Sequence, residues 1–596
     1  MTIRIEGKDI VVEIDQGIAE SPHLGTANLR SINTGSVPGE ASVNFKTAAM
    51  TQPPTVSALA FTVDTTTNVF TVASTSGWYN AMAITLNTVV TSTGLTTGRV
   101  YWIGDLTATT FKLYTHPRLN VSALVDPGGS NGSGTLSTYT FGAPVDSAFI
   151  RVTFDSTPLT PKSNLLVILD NASRVWWVYN PDGVLTNNLV YLGNTADSVN
   201  TGRGIASWQS YLVVFRGDDV IDALRGVSFR DDAVDLAALW TYDWGGTAVD
   251  DVSEAKRATF VGTDDILYFN NGTAVGSIQE TAGDVFDPTD SASYTINEQA
   301  LDLPTGDSIL SFGETGEKLL IGTFTNKVYP WDRISPSFDI PLDLPEDGTY
   351  QIVSTNSTAY LFVGNRGRIY ETNGSAVALW KKIPDHLSGV FEPYYIWKSA
   401  EVSRGQMYAG FTAFQNDGTE ITTMGGVWAI DMDTKALRHV HQLSHGVGGT
   451  TSVIQRSILS ETPTGTGLYV GWTDSAGTTF GVDTGSSLPY SAGETIIETE
   501  IIPIGTYTFS ATPSQYEFKL TRPLVSGESI ELQVRTNLTE SYISVGVSST
   551  VGAISEEFPA TTGLENIQWV QVKAILTSTN TTPSRVPLKQ IRISTQ

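Results

Sequence analysis

"TAYLFVGNRGRIYETNG", residues 358–374, reads as a strand, a turn and a second strand. An apolar run at 360–363 meets a Gly-Asn-Arg-Gly turn at 364–367, and a shorter strand then runs to the turn at Asn373-Gly374. Turn residues at that spacing between β-prone runs predict a hairpin. Six further stretches share the pattern. They are "SNLLVILDNASRVWWVYNPDG" from Ser163, "QSYLVVFRGDDVIDAL" from Gln209 and "DDILYFNNGTAVGSI" from Asp264. "EKLLIGTFTNKVYPWD" follows from Glu317, "GQMYAGFTAFQNDG" from Gly405 and "TGLYVGWTDSAGTTFGVD" from Thr466.

Successive starts lie 41 to 61 residues apart, with no helical pattern between them. A period near fifty in an all-β chain predicts β-propeller blades. A four-stranded blade cannot bury both faces alone, so blades pack face to face around an axis. The expectation is an all-β fold, a β-propeller of about seven blades over residues 143–490, with 358–374 as one blade's inner hairpin.

The flanks read differently. Residues 55–142 alternate apolar and polar positions between Gly-rich turns, flanked by Pro53-Pro54 and Ala143-Pro144. They predict a small inserted β-domain, semi-independent and projecting from the propeller. Residues 491–596 predict a C-terminal β-sandwich, with Tyr516, Phe518 and Leu520 on one face of a strand and Ile530, Leu532 and Val534 on one face of the next. Residues 1–54 form an N-terminal arm with two candidate ring-closing strands, 8–15 (KDIVVEID) and 40–47 (EASVNFKT). An unpaired edge at the seam of a ring is a liability, so at least one is expected to pair with the last blade, 468–482.

Composition limits the chemistry. The 596 residues include 55 Gly, 26 Pro and no Cys, with a formal charge of −26. Absence of Cys removes disulfides, thiolate catalysis and Cys-based zinc sites. No apolar run approaches the roughly 20 residues needed to span a bilayer, and residues 1–30 carry no secretory signal pattern. The acidic balance opposes non-specific DNA binding, which needs clustered Lys and Arg.

The segment 15–47, with Gly17-Ile18, Ser21-Pro22, Arg30 to Asn33 and Pro38-Gly39, resembles the opening of β-propeller virion proteins of tailed bacteriophages. "GLTTGRVYWIGDLTATTFKLY", 94–114, resembles a small β-module of phage structural proteins. "RPLVSGESIELQVRTN" and "LKQIRI" are similar to the sandwich that follows such propellers. The nearest analogue is the tail nozzle (tail tubular protein B) of short-tailed phages, from which this sequence departs in being shorter and in carrying its insertion early. The resemblance implies a structural role in the virion tail and no catalytic residues, with the protein made in the host cytoplasm and located in the virion tail.

Several constellations carry chemistry-bearing side chains. His439, His441 and His445 in "RHVHQLSHG" are the metal candidates, since His-x-His on a strand places both imidazoles on one face; the reading adopted is an exposed strand and loop without a ligand. Arg216-Gly217-Asp218 spells an adhesion tripeptide; it falls where a hairpin turn is expected, and turn chemistry is the reading adopted. Residues 473–480 approach an Asp-box with one residue too many, and no carboxylate pair stands out for glycoside cleavage. Asp284, Asp287 and Asp290 could hold calcium or form a solvated acidic loop. Trp176, Trp177, Trp331, Trp428 and Trp472 are read as fillers between blades.

The expectation is therefore a non-enzymatic virion component without a cofactor. It would form a homo-oligomeric ring, contact other tail or portal-adaptor proteins and line or adjoin the DNA exit path without binding DNA specifically. The alternative is a propeller displayed on the virion for host attachment, binding a receptor or a surface glycan through exposed aromatics. A glycan-cleaving propeller is the third reading.

Overall fold

The computed structural model describes residues 2–6, 9–13, 30–32, 48–92, 94–117, 119, 123–152, 163–179, 188–194, 202–209, 211–216, 220–225, 258–288, 290–355, 357–383, 392–403, 405–414, 426–433, 435, 437–441, 452–462, 465–474, 479–484, 493–498, 502–504, 511–536, 541–559, 567–579 and 588–595. Among the described residues the regular elements are all strands. Among the described residues no helix is long and apolar enough to cross a membrane.

Among the described residues, seven antiparallel sheets follow one another along the middle of the chain. Their first strands are Pro144–Val152, Gly202–Trp208, Thr259–Val261, Ile309–Thr315, Thr349–Ser354, Glu392–Ser403 and Ser452–Thr462. Each first strand lies beside the first strand of the next sheet, and Pro144–Val152 also lies beside Ser452–Thr462. This arrangement is propeller-like.

The seven hairpins legible in the sequence are the second and third strands of these sheets. In 358–374, Ala359–Val363 pairs with Arg368–Thr372, from Ala359↔Thr372 to Val363↔Arg368. Its turn needs φ of +65° at Gly364 and +66° at Gly367, which glycine adopts without strain. The hairpin is not the inner one. Thr349–Ser354 precedes it and lines the centre, so 358–374 lies one strand outward.

The seam is held by a short N-terminal strap. Ala48–Ala49 pairs with the last strand of the seventh sheet, Asp483↔Ala49 and Thr484↔Ala48. Beyond it, Met50 N–H donates to Val482 O (2.7 Å), Gln52 Nε2 to Phe480 O (2.8 Å) and Leu189 N–H to Thr51 O (3.0 Å). Leu189 belongs to the first sheet's outer side, so five residues tie the array's two ends together. The segment 40–47 lies outside the described residues. The other candidate, 8–15, does not close the ring. Its strand Asp9–Glu13 pairs with Thr2–Glu6 and with Leu588–Thr595 of the C-terminal domain. Alternation suits any half-buried strand, and it carries no information about which sheet receives it.

The insertion is a closed six-stranded barrel in the order Gly132–Thr138, Leu59–Asp64, Val69–Val72, Thr110–Tyr114, Val100–Gly104, Ala83–Val90. Phe70 and Phe111 stack at 5.5 Å inside it. Gly134 sits where a Cβ would meet Thr88 O at 2.0 Å, so only glycine lets these strands approach. The barrel is more than a projecting module on a linker. Its Trp102 Nε1 donates to Tyr191 O (2.8 Å), Tyr79 Oη donates to Leu189 O (2.5 Å) and, beside it, Tyr139 stacks on Tyr191 at 4.2 Å. Trp102, Ala83 and Phe141 share one apolar core with Trp176, Leu192 and Val482.

The C-terminal domain packs two sheets face to face. One has the order Thr2–Glu6, Asp9–Glu13, Leu588–Thr595, Pro513–Leu520, Ser555–Pro559. The other has Arg30–Ile32, Gly493–Glu498, Trp569–Ser578, Glu528–Arg535, Ile543–Ser548. Tyr516, Phe518 and Leu520 meet Ile530, Leu532 and Val534 in the core between them. The buried Glu528 is neutralised by Arg522, whose Nη1 and Nη2 lie 2.9 and 2.8 Å from its two carboxylate oxygens.

Candidate functional site

The first strands of six sheets surround a central cavity of about 530 Å³. Because side chains alternate across a strand, each first strand turns some residues to this space and others into the stack between sheets. Ser147, Ser207, Thr259, Ser311, Gln351 and Glu401 give the lining its polar groups, with Phe149, Phe260 and Phe312 among the apolar ones. Glu401 is the single ionisable residue among the described lining residues. Neighbouring sheets are stitched here by hydrogen bonds: Ile205 N–H donates to the buried Asp146 Oδ2 (3.0 Å) and Ser311 Oγ to Thr349 O (2.7 Å). Such a lining can hold water and neutral polar groups. It offers no carboxylate pair for acid–base work.

A second cavity, of about 390 Å³, lies beside the turn of 358–374 and is lined by Glu346, Asp347, Tyr350, Asn365 and Arg366. Glu346 is already engaged there, accepting from Arg366 N–H (3.2 Å) and pairing with Arg368 Nη1 (3.1 Å). Its carboxylate holds the turn.

His439 and His441 fall on Leu437–His441, opposite Trp428 and Val427, with a register shift between the two pairs. His445 lies outside the described residues, and among those described no group of three His, Asp or Glu could hold a metal. Arg216 ends a strand opposite Val220, while Gly217 and Asp218 lie outside the described residues. The Asp-box-like segment begins on the strand Gly465–Asp474, and residues 475–478 are likewise outside. Asp284, Asp287 and Asp290 are exposed on the 281–293 loop. That loop is built by turn bonds, with Ala292 N–H on Asp290 Oδ1 (3.0 Å) and Ser293 Oγ donating to Asp287 O (2.9 Å). Phe286 plugs it into the sheet stack, 4.6 Å from Trp208. Trp176, Trp177, Trp331, Trp428 and Trp472 are all buried.

Two polar clusters escaped the sequence reading. Arg333 joins the third and fourth sheets, with Nη2 at 2.6 Å from Glu314 Oε2 and Nη1 at 3.2 Å from Asp264 Oδ2. Tyr268 Oη donates to Asp264 Oδ2 (2.7 Å), and burial together with that carboxylate pushes the phenol well above its usual range. In the first sheet, buried Asp170 accepts from Gly142 N–H (2.9 Å) and Trp176 Nε1 (2.8 Å) on Oδ2, and from Ala172 and Arg174 N–H (both 2.9 Å) on Oδ1. Burial pushes its carboxyl up, against the pull of these donors. The partners are separated by up to 70 residues in sequence, for Arg333 and Thr263. No local motif marks such contacts; the positive φ of +70° at Arg333 is visible only in the fold.

No protein-family model and no curated protein matches the chain. Among solved structures it is similar to the computationally designed Ika8 protein, at 10% identity over 60% of this chain and 97% of that one, with a TM-score of 0.32. It is also similar to Raptor of Chaetomium thermophilum, at 10% identity over 58% of this chain and 28% of that one (TM-score 0.37). A third likeness is to a chain of the mitotic checkpoint complex, at 12% identity over 57% and 89% (TM-score 0.34). Likenesses at these scores carry no argument, and the architecture rests on the strand pairing described above.

Proposed function

We propose that the seven sheets are the blades of one closed seven-bladed propeller, and that the chain is a non-enzymatic structural component of a tailed-phage tail, of the nozzle type. The observation that carries this reading is the path of the N-terminal residues. Thr2–Glu6, Asp9–Glu13 and Arg30–Ile32 belong to both sheets of the C-terminal sandwich, and Ala48–Ala49 then joins the seventh blade. Backbone pairing thus links the described N-terminal strands to both bodies, while the barrel docks on the first blade through a buried core. A block braced in this way suits a part that bears force. In this reading DNA passes along the axis of a ring of copies, where a chain of charge −26 repels rather than traps it.

The test is location. An antibody against the purified chain, applied to intact phage particles from the source and viewed by electron microscopy, should label the tail. Absence of the chain from purified particles, by mass spectrometry, sinks the proposal.

A further inference from the structure

Two successive sheets use the same device at one end of their strands. The outer loop of the third sheet, 281–293, plants Phe286 against Trp208 and Tyr211 of the second sheet, at 4.6 and 5.1 Å. The outer loop of the fourth, 332–341, plants Arg333 on Asp264 at the inner turn of the third. Trp208 Nε1 donates to Asp265 O (2.6 Å), which sets these turns side by side. Beside each anchor stands an aliphatic residue held in water: Val285 is 85% exposed and Ile334 90%, with Ile340 at 87% on the same loop as Ile334. The fourth-sheet loop is firmly built. Asp332 Oδ1 accepts from Ile334 and Ser335 N–H (3.0 and 2.7 Å), Trp331 Nε1 donates to Ser335 O (2.8 Å), and Phe338 packs on Tyr329 at 4.5 Å. Isolated exposed aliphatics are ordinary, but here each lies on an anchored outer loop, and the two loops belong to adjoining sheets.

We infer that this end of the third and fourth sheets is a docking surface for a basic protein segment with apolar side chains. Charge selects the occupant. Exposed Asp265, Asp284, Asp290, Glu317 and Asp332 belong to the same turns and loops, whereas Lys318 is paired with Asp339 (2.9 Å) and Arg333 with Glu314. A second copy of this face would set acid against acid, while lysines around apolar anchors would complement it. The inference does not depend on the proposed tail function.

The probe is an 18-residue amphipathic Leu/Lys peptide, titrated into the full chain and into a Val285→Ser/Ile334→Ser/Ile340→Ser variant. These side chains contribute little to folding, so the variant should melt like the parent. The expected result is binding weakened at least tenfold in the variant, with peptide-induced hydrogen-exchange protection confined to 281–293 and 332–341. Equal affinity in the variant, or equal binding of a Leu/Glu peptide, overturns the proposal. So does concentration-dependent self-association that the triple substitution abolishes, which would assign the face to a second copy.

Discussion

Met50 and Val482, 432 positions apart in the chain, share a backbone hydrogen bond of 2.7 Å at the seam of the array. Met50 is also buried in the core that the first and seventh sheets share. In an array whose units stabilise their neighbours, a fault at the seam is felt by all of them.

Two truncations should therefore differ. Removing residues 1–47 takes away three strands of the C-terminal sandwich but leaves the strap, so the sandwich should lose protection in hydrogen exchange while the seven sheets keep theirs. Removing 1–52 should lower the protection of the sheets as well. Met50→Ala alone should cost about 2–4 kcal/mol, the usual range for emptying a buried methionine site, measured by denaturant unfolding. Equal protection of the sheets in the two truncations would show that the strap is dispensable.

The barrel offers a second test. Excising 55–142 leaves Tyr191, Leu189 and Trp176 without the cover that Trp102 and Phe141 give them. The shortened chain should aggregate or melt earlier. Trp102→Phe, which keeps most of the ring and loses the bond to Tyr191 O, should cost about 1–3 kcal/mol for the unpaired buried carbonyl. A shortened chain as soluble and as stable as the parent would restore the view of the barrel as an independent appendage.

What the sequence revealed follows burial. Second strands such as Lys318–Thr323 and Leu267–Asn271 are covered on both faces and read as continuous apolar runs, so their hairpins were visible. First strands have one face on the cavity. Thr349–Ser354, TYQIVS, is only half buried and shows little pattern. The pattern therefore points to the opening hairpin as the innermost one, although Thr349–Ser354 lies inside it. The strap has two alanines as its strand, which no hydropathy pattern could flag. The polar clusters depend on side chains meeting across sheets, and composition alone cannot pair Arg333 with Asp264 and Glu314.

That pairing has its own consequence. The Arg333 side chain is 8% exposed, and Arg333→Ala would leave two close carboxylates without their cation, at a cost of about 3 kcal/mol. Arg333→Gly loses the same charge but relieves a left-handed backbone (φ +70°), so it should be the milder of the two by about 1 kcal/mol. Denaturant unfolding of both variants checks the order. If alanine and glycine cost the same, the backbone stores no strain there.

Asp170 gives a prediction in which charge and hydrogen bonding oppose each other. Burial raises its folded-state pKa above the ordinary 3.8. Below both pKa values the carboxyl is protonated in both states. As pH rises from about 3.8 through the raised value, the unfolded chain has released a proton that the folded one still holds, so stability from this group falls with pH in that window. The burial cost of the charge favours its removal at neutral pH, and the hydrogen-bond geometry argues the other way. Each carboxylate oxygen accepts two donors, Gly142 N–H and Trp176 Nε1–H on one and Ala172 and Arg174 N–H on the other. In Asp170→Asn, either orientation of the amide turns an NH₂ toward two N–H groups. The lost bonds should cost about 2–6 kcal/mol at pH 7, for two orphaned buried donors at ~1–3 kcal/mol each. The variant should also lose the parent's decline in stability just above pH 3.8. Urea unfolding of both proteins at pH 4, 5.5 and 7 measures the two effects together. An asparagine variant more stable than the parent at pH 7 would mean that the burial cost of the charge outweighs its four hydrogen bonds.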